Sequence, residues 1–123
     1  MKLKLYEDTY QITRLPFNSE IPAGIYNGEF YSIGKTDDEL SIICTDEISF
    51  TCEESDNDWR IFKFVESMDL NLIGIAAKIT SVLANANVNI MVVSTYNTDF
   101  VMVKNDKLEI AVNALKSAGY EFV

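Results

Sequence analysis

Hydrophobic residues follow two periods in the second half of the chain, and the change between them marks the elements. Trp59 to Val65 is aromatic and β-branched, which predicts a strand. Apolar residues then recur at Leu72, Ile75, Ala76, Ile79, Val82, Leu83 and Ala86, with Lys78, Ser81 and Asn85 opposite. Those offsets trace one stripe of a helix. Asp69 stands where an N-cap is wanted, since its carboxylate accepts orphan backbone N–H groups. Val88 to Thr95 predicts a strand, Asn97-Thr98 a turn, and Phe100 to Lys104 another strand. Asp106 with Glu109 has the spacing of a capping box for a second helix, whose stripe is Leu108, Ala111, Val112 and Leu115. Gly119 fits a left-handed helix stop, and Tyr120 to Val123 predicts a closing strand. The order β-α-β-β-α-β over about 65 residues is the split βαβ, or ferredoxin-like, unit. Two helices cover one face of its antiparallel sheet, and the other face calls for a second domain or another chain.

The first half is less regular. Lys2 to Leu15 reads as one long strand or a hairpin, and Pro16 to Tyr26 as a helical turn or short helix with Pro16 at its first position. Glu29 to Ile33 and Leu40 to Thr45 predict a strand pair around Lys35-Thr36-Asp37-Asp38, and Ile48 to Cys52 a weak strand or short helix. Glu53-Glu54-Ser55-Asp56-Asn57-Asp58 is polar and reads as a solvated linker. It lacks the ligand alternation and central glycine of a calcium loop. Periodicity alone leaves open whether this half is a shrunken copy of the second.

Charge removes several function classes. The 123 residues carry ten Lys plus Arg against nineteen Asp plus Glu, a net of −9. Residues 1–60 hold a net of −8 and residues 61–123 a net of −1. Nucleic-acid binding needs clustered cations, and so does docking on anionic lipid. The exposed aromatics of an RNA-reading sheet would here sit in an acidic field. The chain has no histidine, which removes Ser-His-Asp and Cys-His catalysis and most zinc sites. Arg14 and Arg60 are the only arginines, and neither is paired with an asparagine for acyl-phosphate chemistry. No catalytic activity, metal or cofactor is expected. Cys44 and Cys52 lack a C-x-x-C spacing and read as reduced thiols. Met-Lys-Leu-Lys-Leu is interrupted by Tyr6-Glu7-Asp8 before an apolar run forms, and no stretch reaches membrane-spanning length. A cytoplasmic location is expected.

The most distinctive local feature is Ser94-Thr95-Tyr96-Asn97-Thr98-Asp99 between two strands, with Asp69-Leu70-Asn71-Leu72-Ile73-Gly74-Ile75 at the strand-to-helix junction. The stretch NLIGIAAKITSVLANANVNIMVVSTYNTDFVMVK, with the closing ALKSAGYEF, resembles the ACT domain, specifically the paired-ACT type. EFYSIGKTDDELSIICTDE and DWRIFKF resemble its degenerate N-terminal module. Such modules occur in aspartate kinases, in cytosolic arginine sensors of animals and in small stand-alone proteins. The resemblance implies an α+β chain of two ferredoxin-like, ACT-type modules with antiparallel sheets. The degenerate one would span 1–59 and the C-terminal one 60–123. It implies an amino-acid sensor, with ligand held at the interface between modules and often across a homodimer. With no catalytic domain attached, output would pass through an unidentified protein partner. The family's contact positions fall on Asp69, Asn71, Leu72, Ile73, Gly74 and Ile75, and on Thr95, Tyr96, Asn97, Thr98 and Asp99.

The chemistry of those residues suits a zwitterion. Backbone N–H groups at a helix start favour a carboxylate. Gly74 has no Cβ and lets a ligand approach closely. Asp69 and Asp99 offer charge-assisted acceptors for an ammonium, and Ser94, Thr95 and Asn97 neutral hydrogen-bond groups. Each also has a plain structural reading: Gly74 in helix–sheet packing, Asp69 as a cap, Asn97-Thr98-Asp99 as a self-satisfied turn. The alternative function is a ligand-free interaction module that self-associates through its sheet.

Overall fold

The computed structural model describes residues 1–65 and 74–123. Two compact units emerge. One joins Met1–Glu7 to Arg60–Val123, and the other is Asp8–Trp59. Residues 1–7, expected with the first module, therefore belong with the second, and Asp8–Trp59 is spliced between two of its neighbouring strands. The cause is the pairing of β1 (Lys2–Leu5) with β5 (Glu54–Phe64): Leu3 lies opposite Phe64 and Leu5 opposite Phe62.

The larger unit follows the expected helix and strand order. Its elements are β1, the second part of β5, α1 (Ile75–Asn85), β6 (Ile90–Ser94), β7 (Asp99–Lys104), α2 (Leu108–Ser117) and β8 (Glu121–Phe122). The strand order is β6-β7-β5-β1-β8. β1 enters between β5 and β8, antiparallel to the first and parallel to the second. Alternate residues of the strands, among them Leu3, Phe62 and Val101, meet Ile79 and Leu83 of α1 and Ala111 and Leu115 of α2 in one core. This is the face that the period-2 and period-3.6 patterns select. Gly119 has φ 97°, the left-handed stop that the sequence predicts.

Helix starts differ from expectation. Asp69 lies outside the described residues, and the N-cap of α1 is Gly74 at φ 85°. The capping box at Asp106 and Glu109 does not form. Asn105–Lys107 makes a 3-10 turn that takes up Asp106, and α2 is capped by Lys107 with no side-chain bond.

The Asp8–Trp59 unit contains β2 (Tyr10–Leu15), β3 (Ser32–Lys35), β4 (Leu40–Thr45) and the first part of β5, in the order β3-β4-β2-β5. β2 and β4 pair from Tyr10 opposite Thr45 to Leu15 opposite Leu40. Lys2 to Leu15 is thus neither one strand nor a hairpin, because β1 and β2 pair in different units. All of residues 8–59 are described, and none is α-helical. Pro16 to Tyr26 forms turns, since Pro22 lacks an N–H and Gly24 turns left-handed at φ 89°. Ile48 to Cys52 is irregular. Loop residues Ile25, Ile48 and Phe50 cover Leu15, Leu40 and Ile42 where a full module would place helices. Buried Gln11 ties this cover down, its Nε2 donating to the carbonyls of Thr45 (3.0 Å) and Ile48 (2.7 Å).

The acidic run is a strand rather than a linker. Glu54, Ser55 and Asp56 pair with Arg14, Thr13 and Ile12. Backbone ladders need no apolar side chains, and charged residues suit an edge strand because they deter further pairing.

Both cysteines are free thiols, and Cys44 is buried beneath this cover. Burial first, and Asp46 second, push its thiol from 9.0 up to about 11. The unfolded chain releases this proton near 9 and the folded chain keeps it until about 11. Stability is therefore full below the lower value and falls as pH rises between the two. Thiol-disulfide titration at pH about 8 is expected to label at most Cys52 in the folded protein and both cysteines after unfolding. Rapid labelling of Cys44 in the folded state would refute this.

Candidate functional site

The β6–β7 hairpin carries five of the expected positions. Its strands pair from Ile90 opposite Val103 to Ser94 opposite Asp99. The tip is closed by Thr95, whose N–H and Oγ1 both donate to the Thr98 carbonyl at 2.9 and 3.0 Å. Thr98 is buried, and its Oγ1 donates to the Phe64 carbonyl at 3.3 Å. That bond pins the tip to the end of β5, from which the chain leaves toward α1. Thr95 and Thr98 are thus spent on holding the turn. Tyr96 is 83% exposed and Asn97 is exposed, while Asp99 is half-buried at the start of β7. The tip presents a ring, an amide and a carboxylate on a braced backbone.

Asp69, Asn71, Leu72 and Ile73 lie outside the described residues. Gly74 is exposed, its carbonyl accepts the Lys78 N–H at 2.8 Å, and nothing stands near the place of a Cβ. Its glycine is needed for the left-handed backbone rather than for space. Ile75 packs on the helix–sheet core.

Ile75 also lines a cavity of about 200 Å³ with Met1, Lys78, Ala118, Gly119 and Tyr120. Lys78 Nζ lies 5.9 Å from the centre of the Tyr120 ring, close enough for a cation–π contact. Burial raises the Tyr120 hydroxyl above its ordinary value. The Met1 carbonyl accepts the Glu121 N–H at 3.0 Å, which brings the N-terminus to the rim. The result is a largely apolar pocket with the Lys78 ammonium and the Met1 amino group near it. Sequence reading missed it: Lys78 reads as solvated, Gly119 as a stop and Tyr120 as a strand residue. No local pattern links Met1 to residues 75 and 120.

A second depression, about 450 Å³ and open, lies over β2, β4 and β5 of the Asp8–Trp59 unit. Its walls include Arg14, Glu39, Ser41, Glu54 and Asp56. Arg14 approaches Glu53 at 3.9 Å with both side chains half exposed, an ion pair worth little in water. Among the described residues there is no cluster of acidic, cysteine or histidine side chains able to hold a metal. None of the described helices is long and apolar enough to cross a membrane.

The family model for the ACT domain matches residues 54–117, and a second model, for an N-terminal domain, matches residues 8–55. A crystal structure of a protein from Agrobacterium tumefaciens is 36% identical, covers 99% of this chain and 91% of its own, and superposes with a TM-score of 0.90. The regulatory subunit of aspartate kinase from Thermus thermophilus, in ligand-free form, is 15% identical with a TM-score of 0.69, covering 95% of this chain and 96% of the subunit. Aspartate kinase from Clostridium acetobutylicum, described as an allosteric enzyme, is 19% identical with a TM-score of 0.69, over 94% of this chain and 34% of the kinase. No curated protein matches the sequence. The fold is that of two ACT-type modules, the first degenerate, and with one family model spanning more than half its length the chain belongs to the ACT domain family.

Proposed function

We propose that this chain is a regulatory protein that binds a free amino acid and passes the signal to a partner protein. It would act in the cytoplasm as a homodimer, without catalysis of its own. The ligand would lie at the hairpin tip, against Tyr96, Asn97 and Asp99 on the turn that Thr95 and Thr98 hold, and at the connection into α1, Asp69, Asn71, Leu72, Ile73, Gly74 and Ile75. The observation that carries this reading is the Thr98–Phe64 bond. It holds a polar tip at the end of β5, in a chain whose fold is similar to that of the regulatory subunit of aspartate kinase. Pre-formed polar groups on a braced turn bind without first paying to order themselves. Asp99 would receive the ammonium by a charge-assisted bond.

The test is thermal unfolding against each of the twenty amino acids. A ligand at about 100 times its dissociation constant adds about 2.7 kcal/mol, a shift of several degrees. Asp99→Ala is expected to abolish that shift while its own melting temperature stays near wild type, since the side chain is half exposed. A flat panel, on protein found by mass spectrometry to carry no co-purified ligand, would overturn the reading in favour of the interaction module.

A further inference from the structure

The geometry points to Asn27 as a site of spontaneous modification, where the Gly28 backbone nitrogen converts the side-chain amide to a succinimide and then to aspartate or isoaspartate. Asn27 and Gly28 are both exposed in the loop between Ile25 and β3. Gly28 carries no Cβ, so nothing on that residue shields its nitrogen. Its N–H makes no hydrogen bond among the described residues, and neither does the Asn27 side chain. Deprotonating that nitrogen therefore breaks no existing bond.

Asn18, Asn57, Asn87 and Asn113 differ in this respect. The N–H after Asn18, that of Ser19, donates to the Pro16 carbonyl at 3.0 Å. The one after Asn57, that of Asp58, donates to the Asp46 carboxylate at 3.1 Å. The one after Asn87, that of Val88, donates to the Leu83 carbonyl at 2.9 Å. Asn113 lies within α2. In each case a hydrogen bond or a helix ladder holds the nitrogen that would have to attack, and the next residue bears a side chain.

The step balances with water as the co-reactant. The deprotonated Gly28 nitrogen attacks Cγ of Asn27. A C–N bond forms, the Cγ–Nδ2 bond breaks, and ammonia leaves with the proton that Gly28 gave up through solvent. Water then opens the ring at either carbonyl, and nothing is oxidised or reduced. Either product adds a carboxylate to the half of the chain that already carries a net of −8. Isoaspartate also lengthens the main chain by one carbon between the buried anchors Ile25 and Phe30.

The experiment is to hold the folded protein at physiological temperature in neutral and mildly alkaline buffer and follow the tryptic peptide from Leu15 to Lys35 by tandem mass spectrometry. That peptide contains both Asn18 and Asn27. The expected result is an amide-to-acid mass shift confined to Asn27, in two chromatographically distinct products, and faster at the higher pH. Asn27→Gln is the control, expected to remove the shift without changing the melting temperature. Gly28→Ala is a poor one, since its Cβ would stand 2.8 Å from Thr45 Cγ2 at φ 95°. An Asn27 that persists in the folded protein overturns the inference, whether or not the urea-unfolded chain converts it. So does conversion of Asn18 at an equal rate.

Discussion

Removing Met1–Glu7 is expected to unfold the unit formed by Arg60–Val123, although the family match begins far downstream at residue 54. β1 stands between β5 and β8, so its loss strips the ladder from both. Backbone bonds lost include Tyr6 N–H to the Ile61 carbonyl, Val65 N–H to the Lys2 carbonyl and Val123 N–H to the Leu3 carbonyl. Arg60 loses the Tyr6 carbonyl that its Nη2 reaches at 3.0 Å. Leu3 is fully buried, and truncating such a residue to alanine alone costs about 2–5 kcal/mol. A whole domain is stable by only about 5–15 kcal/mol, so losing the entire strand exceeds what the rest can supply. The chain lacking residues 1–7 should show collapsed amide dispersion for residues 60–123 in a proton–nitrogen spectrum. Leu3→Ala should melt cooperatively but lower than wild type. A dispersed, cooperatively melting 60–123 fragment would show that β1 is an accessory strand.

Phe62→Ala is expected to be the most damaging single truncation in the same unit. Phe62 is fully buried, lies opposite Leu5, and its ring packs edge-on to Phe122 at 5.5 Å and 68°. Burial, cavity formation and the lost ring contact together cost about 3–5 kcal/mol. For a chain of this size that lowers the melting temperature by about 10–20 °C. Phe122→Ala should cost less, because Phe122 is only half-buried on a two-residue strand. The double variant should be less destabilised than the sum of the two, by about 0.5–1.5 kcal/mol, since the ring contact is lost only once. Additive costs would mean that the two rings stabilise independently. A Phe62→Ala protein melting within a degree of wild type would refute the core assignment.

Much of this architecture is legible along the chain. Ile79, Leu83, Ala111 and Leu115 fall on helix stripes because a side chain can face a core only at the helical period. Leu40 to Thr45 is a strand with the bounds that its β-branched run suggests. Gly119 stops α2 because few other residues turn left-handed without cost. The glycine at Gly74 marks a helix start for the same reason. Expectation failed where polar sequence met a backbone ladder. Glu54 to Asp58 reads as linker yet forms strand, since main-chain pairing is indifferent to the charge its side chains send into water. Loops cover Leu40 and Ile42 in place of helices, because Pro22 and Gly24 prevent a helix while apolar residues beside them still bury.

The candidate site divides in the same way. The turn at Thr95 to Asp99 is written in its residue types, but its attachment to β5 through Thr98 joins positions thirty-four apart and has no local signature. The pocket of Met1, Ile75, Lys78 and Tyr120 exists only where the N-terminus, the start of α1 and the end of α2 converge. By itself the sequence determined the helices of the larger unit and its strands from β5 onward, its helix stop, strand β4 of the smaller unit and the exclusion of histidine chemistry, because each depends on a residue and its near neighbours. Strand β3, expected at Glu29 to Ile33, lies instead at Ser32–Lys35. Tertiary structure alone decided that residues 1–7 complete the larger sheet, that an acidic run pairs, and which side chains share a pocket. Those outcomes depend on which strand a backbone finds as its partner, and a hydrogen-bond ladder carries no record of that choice in the side chains.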